Sequence, residues 1–445
     1  PTDISDVTEA AYKFLINGHT REENWTGLFR GGERVRLRII NAAAQTTFNL
    51  RIPGLRMTVV ATDGIEVRPV VVDEFQIGNA ETYDVIVEPE DRPYSFVAET
   101  IDRSGMAVAT LAPRMGMRAA VPPLRERPTL GMKDMGMGHM SGHDAGAAAG
   151  DHAGHAVAAS QAPAAAVDHS SMDMRDKSKV RFPVGVGVDM IAPMPMDRVG
   201  DPGIGLEDVG HKVLTYRDLV SLKPRTDLRP PTRKLEIHLT GNMERFMWSM
   251  DGQQLSERPE PYRFARNERV RMRLINDTMM THPMHIHGHF WQLVNGHGSH
   301  QPYKHTVRVL PGGFVDLDMT ADAPGDWAFH CHMTHHVMNQ MGHGIPNLIG
   351  IDKRGFDARA RKLRPGYMTM GEIGMGGHGS LECIDDALGR HRRFHHQRDV
   401  ARGARELRNL GMRRHQALAQ RLGVDFEQDR RLRQVVVLQP ARMQF

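Results

Sequence analysis

This 445-residue chain is short of cysteine, of aromatic side chains and of long apolar runs, and each shortage excludes something. Its two cysteines, Cys331 and Cys383, stand far apart in sequence and make no disulfide framework, which rules out a small stapled scaffold. No run of about 18 apolar residues occurs, so no membrane span is expected. Residues 1–112 hold nothing that reads as a long amphipathic helix, which turns the fold away from helical bundles. The net charge of +4 is small, and its excess gathers in an Arg-rich tail whose basic run reads as a solvated face rather than a nucleic-acid grip. The chain opens on Pro1 with no signal peptide, so its true start, and any export signal, is expected upstream. A length of 445 residues exceeds what one core usually fills, and two or three domains are expected.

What the chain has in quantity is methionine and histidine, 29 and 25 residues against 6% aromatic. Thioethers and imidazoles are copper ligands, so the composition leans toward that metal, although methionine also fills cores and histidine also decorates surfaces.

Strand patterning dominates the rest. Glu33–Asn41 sets Val35, Leu37 and Ile39 on one face and three arginines on the other, and residues 58–61, 70–72 and 83–87 are further short β-rich runs. After a loop-rich connector, in which Val213–Leu219 reads as an edge strand or short turn, the pattern resumes at Lys234–Thr240. Glu268–Asn276 then nearly repeats Glu33–Asn41 residue for residue. Phe14–Gly18 is echoed by Trp248–Gly252, and Tyr94–Phe96 by Trp327–Phe329, in the same order. Ordered echoes predict two copies of one β-domain, each a sandwich or Greek-key barrel. The expected boundaries are a first β-domain over 1–112, a Met/His-rich linker over 113–180, a connector over 181–232, a second β-domain over 233–353 and a tail over 354–445.

The linker sets methionines such as Met132, Met135 and Met140 among His139, His143, His152 and His155 in a Gly/Ala background with no hydrophobic period. It is expected to be disordered, and either captures metal or is a solvated spacer. The tail is Gly/Met-rich and then Arg-rich without lysine from residue 381; it reads as disordered or partly helical, for example over 400–422, and no function is assigned to it.

The chemistry concentrates in two stretches, His282-Pro-Met-His-Ile-His287 and His330-Cys-His-Met-Thr-His-His336, the second followed by Met341. A thiolate from Cys331 with one nitrogen each from His282 and His336 makes a trigonal copper plane, and Met341 suits the weak axial position. Zinc is the competing metal, but it takes a tetrahedral set with no reason for an axial Met. On extended backbone His285 and His287 share one face, as do His330 and His332, so each pair suits a second, multinuclear site on the side away from Cys331. The repeat supplies an internal control. After Asn41 the first copy runs on without histidine, and Val97, Ala98 and Glu99 stand where His330, Cys331 and His332 stand in the second copy. The scaffold therefore exists without the ligands.

These motifs, with Gly241–Trp248 and Val213–Leu219, resemble the multicopper oxidases, in particular the bacterial copper-resistance and laccase-like group, over roughly residues 1–372. The resemblance implies an all-β fold of tandem cupredoxin domains. It implies type 1 copper ligands at His282, Cys331, His336 and Met341, a type 2 ligand at His285, and type 3 ligands at His287, His330 and His332. It also implies an oxidase acting in copper resistance in the periplasm. Such an enzyme takes electrons from Cu(I) or a phenolic reductant at the type 1 copper and reduces dioxygen to water at a trinuclear site. That site takes eight histidines in the family, four from two His-x-His motifs in an N-terminal domain, and no such pair occurs in a strand context before residue 230. The chain is thus expected to be N-terminally truncated, lacking the first cupredoxin domain and half the trinuclear ligands. The alternative is a copper-binding or electron-transfer protein that keeps only the type 1 copper.

Overall fold

The computed structural model describes residues 4–137, 174–254 and 261–340, and the backbone of 433–442. The first unit contributes β1 (Tyr12–Ile16), β2 (Thr26–Leu28), β3 (Val35–Asn41), β4 (Phe48–Arg51) and β5 (Met57–Thr62). It continues with β6 (Ile65–Val72), β7 (Glu74–Ile77), β8 (Thr82–Val87), β9 (Tyr94–Thr100) and β10 (Met106–Ala112). The connector gives β11 (Met196–Asp197), and the second unit begins with β12 (Arg233–Asn242), β13 (Met247–Met250), β14 (Arg269–Asn276) and β15 (His282–Ile286). It ends with β16 (Trp291–Leu293), β17 (Tyr303–Lys304), β18 (Thr306–Val309), β19 (Gly313–Thr320) and β20 (Phe329–Cys331). The short helix α1 (Thr334–Gln340) follows, and β21 (Arg433–Arg442) comes from the tail.

The alternation read in Glu33–Asn41 becomes β3, with Val35, Leu37 and Ile39 buried and Arg36 and Arg38 half-exposed. Each unit is two packed sheets. In the first they run β1-β21-β3-β8-β5-β6 and β2-β10-β9-β4-β7; in the second, β13-β12-β14-β19-β16-β17 with β11 beside β19, and β18-β15-β20. The order β1-β21-β3-β8-β5-β6 recurs as β13-β12-β14-β19-β16-β17 and β9-β4-β7 as β20-β15-β18, which is the repeat seen in the sequence, while β2 and β10 have no counterpart among the described residues. Local anchors repeat as well. Asn41 Nδ2 donates to the Thr46 and Ile77 carbonyls at 2.9 and 3.0 Å, and Asn276 Nδ2 to those of Met280 and Val309 at 2.7 and 2.9 Å. Both β1 and β13 end in a turn with positive φ, at Asn17 and Gly18 and at Asp251 and Gly252, which is why an Asx-Gly pair recurs there. One apolar core runs through both units and includes Phe48 and Tyr83 from the first and Trp291 and Val307 from the second.

Two expectations are refined. Of the tract 113–180, residues 138–173 lie outside the described residues, while its flanks pack on the body. Arg125 enters a cluster with Glu74 and Glu99, Met137 is buried, and Asp134 pairs with Arg198 at 2.7 Å. The segment 213–219 holds a single bridge from Val213 to Glu74 and a 3-10 turn over Tyr216–Asp218.

The tail, expected to be disordered or partly helical, differs in one stretch. Residues 433–442 form β21 between β1 and β3, parallel to β3 with Val436 opposite Ile39 and antiparallel to β1 with Leu438 opposite Ile16. This is the place β12 takes beside β14 in the second unit, also in parallel. The β-branched run Val435–Val437 pairs with β3, Leu438 pairs with both neighbours, and Pro440, with no N–H to give, falls past the last β3 pair, opposite Phe14 of β1. The helix expected over 400–422 lies outside the described residues.

Candidate metal centre

Strand β15 lies between β18 and β20, and its antiparallel register with β20 sets Met284 opposite Cys331 and His285 opposite His330. Side chains alternate along both strands, so His282 and Cys331 face the core between the sheets while His285, His287, His330 and His332 face the other way. Helix α1 then brings His336 back over Cys331.

On the core side, one ligand atom each of His282, Cys331 and His336 lies within 4.8 Å of the other two. Cys331 Sγ is 3.7 Å from His336 Nδ1, which is 3.4 Å from His282 Nδ1. All three residues are buried, and Trp248 stacks on the His336 ring at 3.8 Å and 20°. Met250 and Met284 help line the space around them. Burial pushes the Cys331 thiol up to about 12, so metal binding there must displace a proton. Burial, and then the neighbouring His336, hold His282 well below the ordinary imidazole range and therefore neutral.

The protons of this set are fixed from outside. His336 Nε2 donates to Asp6 Oδ2 at 2.8 Å, and a carboxylate only accepts, so the Nδ1 lone pair is left facing Cys331. Thr278 gives its hydroxyl proton to Asn276 Oδ1 at 2.8 Å, so its oxygen accepts from His282 Nε2, also at 2.8 Å. His282 therefore presents its Nδ1 lone pair to the same point. Two imidazoles and a thiol converging on one point form a soft, compact donor set of the kind copper takes.

On the opposite face the four imidazoles are neighbours. Ring centroids are 4.8 Å apart for His285 and His287, 5.2 Å for His287 and His330, 5.4 Å for His285 and His332, and 5.5 Å for His330 and His332. Here the tautomers run the other way. His285 Nδ1 donates to the His305 carbonyl at 2.8 Å and His330 Nδ1 to the Cys331 carbonyl at 2.8 Å, so both present an Nε2 lone pair. His287 Nε2 meets His330 Nε2 at 3.0 Å. Burial holds His285 down to about 3 and His330 to about 4, and it lowers His332 as well. His287 is exposed, as are Phe290 and Trp327 beside it. Gly288, at φ +70°, is required here because a Cβ would lie 2.4 Å from the Trp327 ring.

The first unit has the same ladders with none of these donors. Phe48 opposite Ile77 matches His282 opposite Val309, and Leu50 opposite Ala98 matches Met284 opposite Cys331. Val97 and Glu99 therefore take the places of His330 and His332, and Arg51 that of His285. Glu99 is fully buried and spends its charge on Arg103 at 2.8 Å and Arg125 at 2.6 Å.

The structure thus brings His282, Cys331 and His336 together on one side of β15 and β20, and His285, His287, His330 and His332 on the other. Met341 lies outside the described residues. Asp6, Thr278, Trp248, His305 and Thr306 were not legible as part of the site, because nothing local in the sequence ties them to the ligands.

Comparison with known proteins places these motifs in context. Residues 2–115 and 228–348 each match a family model described as multicopper oxidase. A copper resistance protein A homolog of Pseudomonas syringae pv. tomato is 47% identical over 357 residues, covering 76% of this chain and 58% of that protein. Copper resistance protein A of Escherichia coli is 47% identical over 363 residues, covering 76% of this chain and 59% of that protein. A multicopper oxidase of Mycobacterium tuberculosis is 27% identical over 337 residues, covering 76% and 51%. The chain spans somewhat over half the length of these relatives.

Proposed function

Because this chain belongs to the multicopper oxidase family, we propose that it is the part of a copper-resistance oxidase that receives electrons from Cu(I) or a phenolic reductant. The observation that carries this reading is the convergence of two Nδ1 lone pairs and the Cys331 sulfur in a buried site, each imidazole proton pinned outward. His282, Cys331 and His336 would hold a type 1 copper, with Met341, outside the described residues, as a further thioether donor from the motif. When bound there, copper supplies one-electron chemistry between Cu(II) and Cu(I) with a low reorganisation cost. His330 and His332 are bonded in sequence to Cys331, so a short covalent path joins the two donor sets. Trp248 and the sheet core keep water from the buried set.

The opposite face would supply half of a trinuclear site, His285 for the type 2 copper and His287, His330 and His332 for the type 3 pair. The exposed His287, Phe290 and Trp327 suit a surface completed by a domain that brings the remaining histidines, and coppers held there would supply the chemistry for reducing dioxygen to water. The Met/His tract would gather Cu(I), in the periplasm. The same open face favours the second reading, an electron-transfer protein with one copper.

Copper loading separates the outcomes. The loaded chain is expected to turn blue with a type 1 copper signal, and a colourless loaded chain would sink the reading. Oxygen uptake with a phenolic reductant assigns oxidase activity to this chain; blue colour without uptake assigns it the electron-transfer role.

Asp6 gives a further check. Replacing Asp6 with alanine removes the acceptor of the His336 Nε2 proton, and copper affinity at the blue site is expected to fall about 10–100-fold, the usual cost of losing such a partner. A chelator competition followed by the blue absorption measures it; unchanged affinity would mean Asp6 does not set the His336 orientation.

A further inference from the structure

We propose that Asp63, in the unit that carries no copper donors, is a positioning residue for His285 across the boundary between the two units. The proposal rests on the reading of His285 as a metal donor, and it assigns the first unit a part in building that donor.

Asp63 sits in the turn between β5 and β6, where it and Gly64 both take positive φ, 48° and 78°, as a tight hairpin turn requires. The turn aims a buried carboxylate out of the first unit into the second. Asp63 Oδ1 accepts from Thr82 N at 3.1 Å within its own unit. Asp63 Oδ2 accepts from His305 N at 3.1 Å, Thr306 N at 3.2 Å and Lys304 Nζ at 3.0 Å, all in the second unit.

Those three consecutive residues supply what His285 needs. His285 lies opposite Thr306 in the β15–β18 ladder. Its Nδ1 is 2.8 Å from the His305 carbonyl and 3.1 Å from Thr306 Oγ1. A carbonyl only accepts, so this contact fixes the proton on Nδ1 and leaves the lone pair on Nε2, the nitrogen that faces the other histidines. Asp63 touches none of the four imidazoles of that face; the His305 ring lies 4.0 Å from it. Asp63 holds the backbone N–H groups of His305 and Thr306, the second of which shares its peptide with the accepting His305 carbonyl.

The link is rigid because its surroundings are paired. Lys304 is fully buried, with Thr62 Oγ1 at 2.8 Å, Asp63 at 3.0 Å and Glu81 at 3.2 Å. Arg308, farther along β18, pairs with Glu81 at 2.9 Å and donates to Gln76 Oε1 at 2.8 Å. Two carboxylates from the first unit thus meet two cations from β17 and β18, and moving the strand would strand buried charge. The first unit does not repeat the device. At the ladder position of His285 and Thr306 it pairs Arg51 with Glu74, so the fold can do without this support.

The test uses the metal-free chain with labelled histidines. In the wild type the His285 ring is expected as a single Nδ1–H tautomer whose proton exchanges slowly with solvent. In Asp63→Asn that proton should exchange fast and the Nε2–H tautomer should appear, while copper loading still gives the blue absorption of the Cys331 set. In a Cys331→Ser background, Asp63→Asn should also weaken Cu(II) binding at the four-histidine face about 10–100-fold. Val59→Ala, which destabilises the same strand without touching the carboxylate, should leave the His285 signal as in the wild type. If Asp63→Asn fails to fold, Asp63→Asn with Lys304→Met removes both charges of the pair and carries the same measurement. A wild-type His285 tautomer and exchange rate in a folded Asp63 variant would overturn the proposal. Failure of the copper reading would show separately, as a wild type that does not turn blue.

Discussion

Replacing Cys331 with serine is expected to abolish the blue absorption of the copper-loaded chain outright. Cys331 is the free thiol of the described residues, and its sulfur is the soft donor of the buried set. Serine fills nearly the same volume at a site where Cys331 is almost fully buried, so the strand pair β15–β20 and the stacking of Trp248 on His336 should persist. What is lost is the thiolate: a hydroxyl does not ionise to replace it, and two imidazoles alone do not make the chromophore. Absorption and electron paramagnetic resonance spectra of the loaded variant, with near-ultraviolet circular dichroism as a check on packing, measure this. Blue colour retained in the serine variant would refute the assignment of Cys331 as a copper ligand.

The second large effect is on stability. Glu81 is fully buried and accepts from Gly78 N at 2.7 Å, Arg308 Nε at 2.9 Å, Lys304 Nζ at 3.2 Å and Tyr216 Oη at 2.5 Å. Glu81→Ala leaves the buried Arg308 with no carboxylate partner and Lys304 with Asp63 alone, and a loss of about 3–5 kcal/mol is expected at neutral pH, the range for breaking a buried pair from one side. Denaturant unfolding at neutral pH checks it. Acid should narrow the gap. Burial works to raise the Glu81 carboxyl, but Lys304 and Arg308 outweigh it and its net position is below the ordinary carboxylate value. A group depressed on folding gives stability that is complete above its unfolded value and is lost as pH falls through its folded one. The wild type should therefore lose this contribution below the usual carboxylate range, where the variant has none to lose. A gap that stays constant into acid would place the stabilisation elsewhere. Adding Arg308→Met should recover part of the loss at neutral pH, because it removes the stranded charge while Lys304 keeps Asp63.

Much of the site was legible because its ligands are local. His282, His285 and His287 lie within one strand and its end, and His330, Cys331 and His332 within another, so period-2 alternation alone separates Cys331 from its histidine neighbours. The repeat was legible for the same reason: Glu268–Asn276 and Glu33–Asn41 are the same strand by pattern, and they became β14 and β3. That the stretch just past residue 112 packs on the body was not legible, because Arg125 and Met137 sit in a low-complexity context, and only the Arg125 pairing with Glu74 and Glu99 and the burial of Met137 reveal it. Strand β21 was missed because an apolar run of Val435–Leu438 in an Arg-rich tail has no local partner; its pairing with β1 and β3 is wholly long-range.

The sequence by itself determined the strand periods, the repeat, the donor types and the side of the sheet on which each donor points, since all of these follow from spacing along one extended segment. Only the tertiary structure decided which nitrogen of each imidazole is free. That choice depends on Asp6 for His336, on Thr278 for His282 and on the His305 carbonyl held by Asp63 for His285. Asp6 and Asp63 lie in the other unit, hundreds of residues away along the chain. A proton's position on a ring is set by whatever acceptor packing delivers to it, and spacing within a motif carries no information about an acceptor that arrives from another domain.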